Sequence, residues 1–141
     1  MSDQAIQLVE KEHPALRTVS LKVSDFTDIP KISAAMIEVM KTNKGVGLAA
    51  PQVGLSIRLF VMHPDIVFVN PSFVSASGFQ DSEEGCLTLP GVVKEIKRRR
   101  TVKIEAQDAQ GVKFTKTYSN LEAAICQHEM DHLIGKMITD Y

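Results

Sequence analysis

One segment constrains this chain more than any other: Gln127-His128-Glu129-Met130-Asp131-His132, set inside a stretch whose apolar residues call for burial. Leu121, Ala124, Ile125, Met130, Leu133, Ile134, Met137 and Ile138 recur at helical spacing and cover more than one stripe, so the helix they define should be largely enclosed. Ser119 or Asn120 can cap its start. The histidines and carboxylates on such a helix are costly unless they are paired or bound to a metal. His-Glu-x-x-His offers the second solution. Residues four apart lie one turn apart on one face, so both imidazoles can reach a single ion. Glu129 is rotated by about 100° from His128. That places it badly for chelation alongside both rings, yet close enough to act as general base toward a water activated there. Taken alone, the pattern is also compatible with an exposed polar helix face, and the burial argument weighs against that.

The remaining patterning says what the helix packs against. Ile32, Ala35, Met36, Val39 and Met40 predict a helix over about 29–42, capped by Thr27 or Asp28, with Pro30 in its first turn and an end before Gly45. Residues 58–62, 66–70, 92–96, 102–107 and 112–118 read as strands. His63-Pro64-Asp65 and Asp108-Ala109-Gln110-Gly111 read as turns between them. The Ser-rich stretch 71–84, broken by Gly78, reads as a loop or irregular hairpin. Strands grouped in the middle with helices toward the two ends predict an α+β fold. Its expected form is antiparallel β-sheets packed around a central metal-binding helix, with an N-terminal helix. A length of 141 residues at 44% hydrophobic content suits one catalytic domain spanning 1–141.

Charge excludes several function classes. With 16 basic and 17 acidic residues and a net charge of -1, nothing global points to nucleic acid or an anionic membrane. The run Lys97-Arg98-Arg99-Arg100 is expected to be a solvated strand or turn face. No stretch reaches the about 18 apolar residues of a membrane span, and Met1-Ser2-Asp3-Gln4 carries no signal pattern. The protein is expected to stay where it is made.

A hydrolytic site of this type wants three protein ligands and an open position. After His132 only Asp140 and Tyr141 could serve, and both are weak candidates. Cys126 lies about 200° round the helix from His128 and is expected to fill the core. Cys86 stands in Glu83-Glu84-Gly85-Cys86-Leu87-Thr88-Leu89-Pro90-Gly91, a shaped segment in which Gly85 permits close backbone approach. Alone it would be read as a buried structural cysteine. Beside a histidine pair that lacks a third ligand, thiolate coordination is the more economical account. A third segment, Gly45-Val46-Gly47-Leu48-Ala49-Ala50-Pro51-Gln52-Val53-Gly54, can bring backbone N–H groups and one side-chain amide next to a substrate carbonyl. By itself it is only a small-residue connector, and it lacks the Gly-Lys-Ser/Thr ending of a phosphate loop.

Together, Gly45-Val46-Gly47-Leu48-Ala49-Ala50-Pro51-Gln52, Glu84-Gly85-Cys86-Leu87 and Gln127-His128-Glu129-Met130-Asp131-His132-Leu133 resemble the three motifs of peptide deformylases, in the family's order. The resemblance runs from Pro14-Ala15-Leu16-Arg17 to Gly135-Lys136. It implies hydrolysis of the N-formyl group from the formyl-methionine of nascent polypeptides, releasing formate. Cys86, His128 and His132 would hold one divalent metal ion, Fe2+ first, with Ni2+, Co2+ or Zn2+ as substitutes. Glu129 would be the base, and Gln52 with the backbone N–H of Leu87 would meet the oxyanion. Backbone groups of Val46, Gly47 and Gly85 would align the peptide as an added strand. Val46, Leu121, Ala124 and Ile125 would line the methionine pocket, and Glu84 would pair with Arg98 in support.

Thr88 stands where the family usually has serine, and Asn120 where a glycine is common; the loop from Asn70 to Glu83 is shorter than usual. The chain ends soon after the metal helix, which puts ribosome docking in doubt. The resemblance implies an N-formyl-Met peptide as the partner, no nucleic acid, no membrane, and a monomer. The implied location is the cytoplasm, bacterial or that of a phage's host, with an organelle as the alternative. The rival readings are a general metallopeptidase with the same helix motif and a deformylase-like binding protein without turnover.

Overall fold

The computed structural model describes residues 6–141; Met1-Ser2-Asp3-Gln4, read above as lacking a signal pattern, lies outside them. In chain order the elements are α1 (Ile29–Thr42), β1 (Gly47–Ala49), β2 (Leu59–Met62), β3 (Ile66–Ser77), β4 (Gln80–Cys86), β5 (Leu89–Arg98), β6 (Thr101–Gln107), β7 (Lys113–Ser119) and α2 (Leu121–Leu133). Short 3-10 turns occupy Pro14–Arg17, Ala50–Val53 and Ile138–Asp140. Five strands form an antiparallel sheet in the order β1-β2-β3-β6-β7, and β4 and β5 pair separately as a hairpin. The α+β class expected from the grouping of elements holds. No helix among the described residues is long and apolar enough to cross a membrane.

Strand β2 shows why the sheet sits between the helices. Its four residues, Leu-Phe-Val-Met, are all buried. Strand alternation sends Leu59 and Val61 into the cluster that holds Met36 and Met40 of α1. Phe60 and Met62 enter the opposite cluster, with Ala123, Cys126 and Leu133 of α2. A strand buried on both faces needs apolar side chains at every position, which this one has. Phe60 stacks on its register partner Phe68 with centroids 4.4 Å apart, adding about 1 kcal/mol to what burial of the rings supplies.

Four expectations need correction. Stretch 71–84 is mostly strand: β3 runs on to Ser77 and β4 begins at Gln80. Pairing with β6 overrides the polar composition, and register shifts near Asn70-Pro71 and after Phe73 absorb the residues that do not fit a regular ladder. Asn70, at φ 52, uses its side chain to bond Val23 N, Val23 O and Gln107 Oε1. The last helix stops at Leu133 and does not continue through Ile138. Gly135, at φ 77, lets the Lys136 N–H turn back to the Asp131 carbonyl at 2.9 Å, and a Cβ there would lie 2.8 Å from the Arg17 backbone. Met137 and Ile138 then pack on Leu16 and Leu89 under the hairpin. Arg98 is not on a solvated face; it is 4% exposed. Neither Asp28 nor Asn120 makes a side-chain cap bond; Asn120 serves instead through φ 58 and its carbonyl, which accepts from Ala124 N.

Candidate metal centre

Helix α2 turns Cys126 and Leu133 toward the middle of the sheet, His128 and His132 toward Glu84 and Cys86 of the β4–β5 hairpin, and Glu129 toward Gly47 on the edge strand β1. The imidazole centroids are 5.1 Å apart, as expected one turn apart on one face. Cys86 closes β4 where the hairpin register shifts, with Gly85 opposite Val93 but Cys86 opposite Leu89. That shift brings its Sγ to 3.4 Å from His132 Nε2. Ligand-capable atoms of Cys86, His128 and His132 all lie within 4.8 Å of one another. Cys126 is fully buried and faces away, its thiol pushed up to about 12 by burial first and then by Glu129 and Glu122.

The ring of His128 is fixed from behind. Its Nδ1 lies 2.9 Å from Glu84 Oε1, and Glu84 takes two bonds from Arg98, Nη2 to Oε1 at 2.6 Å and Nε to Oε2 at 2.8 Å. Burial pushes the Glu84 carboxyl up, but the bonds from Arg98 and His128 outweigh it and hold the group at about 2. An ionised carboxylate only accepts, so Nδ1 carries a hydrogen and Nε2 is the nitrogen that faces the cluster. Arg98 reaches on to Asp131 Oδ2 at 2.8 Å and to the Tyr141 hydroxyl at 2.9 Å, and that hydroxyl donates to Asp131 at 2.6 Å. Sequence reasoning anticipated the Glu84–Arg98 pair but not the anchoring of His128, nor the parts of Asp131 and Tyr141. The weak ligand candidates are engaged elsewhere, Tyr141 here and Asp140 by Arg17 and the Met137 N–H.

Glu129 is 4% exposed, and its Oε1 has no hydrogen-bond partner. Burial raises its carboxyl to about 7 against the opposing pull of His128. His132 Nδ1 is likewise buried without a partner, and burial, then His128 and Arg98, draw that ring down to about 3. For His128, burial acts downward but Glu129, Cys86 and Glu84 together lift it to about 10. The two rings are thus driven in opposite directions: the pocket favours charge on His128 and holds His132 neutral, with a nitrogen lone pair available where the sulfur and the two rings converge. A thiolate with two imidazoles suits a divalent transition metal. The residues present fit such an ion.

Gln52 sits in the 3-10 turn after β1, its Oε1 accepting from Ala49 N at 2.9 Å, which aims Nε2 at Cys86 Sγ, 3.2 Å away. A cavity of about 430 Å³ opens beside these groups. Val46, Gly47, Gln52, Gly85, Cys86, Leu87, Leu121, Ala124, Ile125, His128 and Glu129 line it, and His132 lies deeper, at 1% exposure. The residues to which the resemblance gives metal, catalytic and substrate roles are therefore gathered at one place, and Cys126, Asp140 and Tyr141 are not among them. The sequence did not reveal how tight Gly47 is: a Cβ there would lie 2.6 Å from Glu129 Oε2. Gly85, by contrast, has only Val92 O within reach, at 3.6 Å.

The polypeptide deformylase family model matches residues 5–141. The chain belongs to that family. A peptide deformylase of Borreliella burgdorferi is 40% identical over 96% of this chain and 87% of its own length. A chloroplastic/mitochondrial peptide deformylase of Arabidopsis thaliana is 38% identical over 96% of this chain, which spans 53% of that longer protein. The crystal structure of peptide deformylase from Thermotoga maritima superposes with a TM-score of 0.94 at 34% identity, covering 97% of each chain. Family members are metal-dependent, in keeping with the Cys86, His128 and His132 cluster. Both bacterial and plant organellar deformylases are thus similar to this chain.

Proposed function

We propose that this chain hydrolyses the formyl group from the formyl-methionine end of nascent polypeptides, releasing formate, at a single ion held by Cys86, His128 and His132. The observation that carries the reading is the convergence of those three donors beside an unpartnered, buried Glu129 at an apolar cavity. A divalent ion bound there supplies Lewis-acid polarisation of the formyl oxygen and lowers the pKa of a water molecule. Glu129, raised to about 7, accepts a proton from water and returns it to the departing amine. The Gln52 amide and the Leu87 backbone N–H meet the negative charge that develops on the formyl oxygen.

Strand β1 is an edge of the five-stranded sheet. Its open edge at Gly47, the preceding residue Val46 and the hairpin at Gly85 flank the cavity and suit a peptide added as a strand. Leu121, Ala124, Ile125 and Val46 receive the methionine side chain. Ferrous iron is the ion of choice in this reading, with nickel, cobalt and zinc as substitutes. The chain acts as a monomer where such polypeptides are made.

Formate release from formyl-Met-Ala-Ser by anaerobically metal-loaded protein, with no cleavage of unformylated peptides, is the expected result. Cleavage of internal peptide bonds would replace it with the metallopeptidase reading. Binding of the formylated peptide without formate would support the non-catalytic one.

A further inference from the structure

We propose that Thr88 is a positioning residue for this reaction: its hydroxyl takes one hydrogen from the Gln52 amide and gives its own to the Cys86 sulfur. The inference rests on Cys86 being a metal ligand in the reading above. Thr88 lies in the turn between β4 and β5, is 3% exposed, and does not line the cavity. Its Oγ1 is 3.3 Å from Cys86 Sγ and 3.4 Å from Gln52 Nε2.

The direction of each bond follows from counting donors. Gln52 Oε1 already accepts from the Ala49 N–H, so Nε2 is the end that faces Thr88 and Cys86, and it can only donate. Turning the amide over would set two N–H donors against each other at Ala49 and an oxygen against the sulfur. The Thr88 oxygen is therefore the acceptor from Gln52. Among the described residues its single hydrogen has one acceptor within reach, Cys86 Sγ.

Two effects follow from that one hydroxyl. One amide hydrogen of Gln52 is tied to Thr88, so the other, which faces Cys86 Sγ at 3.2 Å, is the one left to turn to the formyl oxygen. Donation to the sulfur draws off part of the thiolate charge, which makes Cys86 a weaker electron donor and leaves a bound ion more polarising. The β-branched side chain of threonine restricts rotation about χ1, so the hydroxyl is held in its bridging position. Serine supplies the same hydrogen bonds with more freedom.

The test compares cobalt-loaded full-length protein with Thr88→Val, which keeps the shape and removes the hydroxyl, and with Thr88→Ser. The readouts are the thiolate-to-cobalt absorption band and steady-state formate release. In Thr88→Val the band should move to longer wavelength, and kcat should fall about tenfold with KM nearly unchanged. Thr88→Ser should restore both. If Thr88→Val does not fold, Thr88→Ala against Thr88→Ser gives the same comparison. An unmoved band, an unchanged kcat, or failure of serine to restore either one overturns the proposal. A thiolate band that persists in Cys86→Ala would remove Cys86 as ligand and overturn the underlying reading as well, an outcome distinct from an unmoved band in Thr88→Val.

Discussion

Replacing Gly47 by alanine should disable the base without disturbing the ligands. The added Cβ would stand 2.6 Å from Glu129 Oε2 and 2.9 Å from Ile125 Cγ2, whereas ordinary contact begins at 3.4 Å. The carboxylate must therefore retreat by about 0.8 Å, the shortfall between those distances. A displacement of about 1 Å in a reacting group can cost about 100-fold in rate, or close to 3 kcal/mol of transition-state stabilisation. Overpacking at this buried site should also lower global stability by about 1–3 kcal/mol, which a folded domain of this size tolerates. The three atoms nearest that Cβ belong to Glu129 and Ile125 and not to a candidate ligand, so metal content should be unchanged. Formate release, measured with metal content and thermal melting on the same preparation, separates these effects. A variant that binds metal, melts near the parent temperature and keeps kcat within about threefold would refute the claim that the Gly47 contact sets the position of the base. A rise in KM at constant kcat would show that the methyl group obstructs the peptide instead.

Glu129→Ala should retain metal and lose about 100- to 10,000-fold in formate release, and an unchanged turnover would reassign the base. Acid titration of stability should expose Glu84. Its carboxyl titrates near 4.5 when unfolded and about 2 when folded, so its contribution is complete above pH 4.5 and is lost as pH falls toward 2. That amounts to about 3 kcal/mol, and chemical denaturation across this range should show the slope in the parent and not in Glu84→Gln. Iron-loaded protein should lose activity in air while nickel- or cobalt-loaded protein keeps it, because a thiolate beside iron is open to oxidation. Equal decay with all three metals would argue against that chemistry.

Sequence patterning disclosed the helices, most of the strands and the residues of the candidate site because each rests on local spacing. Ile29–Thr42 follows from its apolar period, and the His128–His132 pair from one helical turn. What spacing could not disclose depends on partners distant in the chain. The strand character of 71–77 comes from pairing with β6, not from its serines. Arg98, inside a basic run, is buried only because Glu84 and Asp131 meet it there. Gly47 reads as one more small residue in a glycine-rich loop until Glu129 is placed against it. The early end of α2 had a visible signal in Gly135, but the apolar residues beyond it spoke for continuation, and those residues pack on Leu16 from a separate turn.

Glu84 and Cys86 are two residues apart on β4 and so project from the same side of it. The carboxylate that steadies one histidine and the sulfur that completes the cluster are thus presented together. A slip of one residue in the β4–β5 pairing would offer Glu83 and Gly85 to the helix instead, forfeiting anchor and ligand in a single error. On this hairpin, then, the His128 anchor and the sulfur of the cluster stand or fall with one strand alignment.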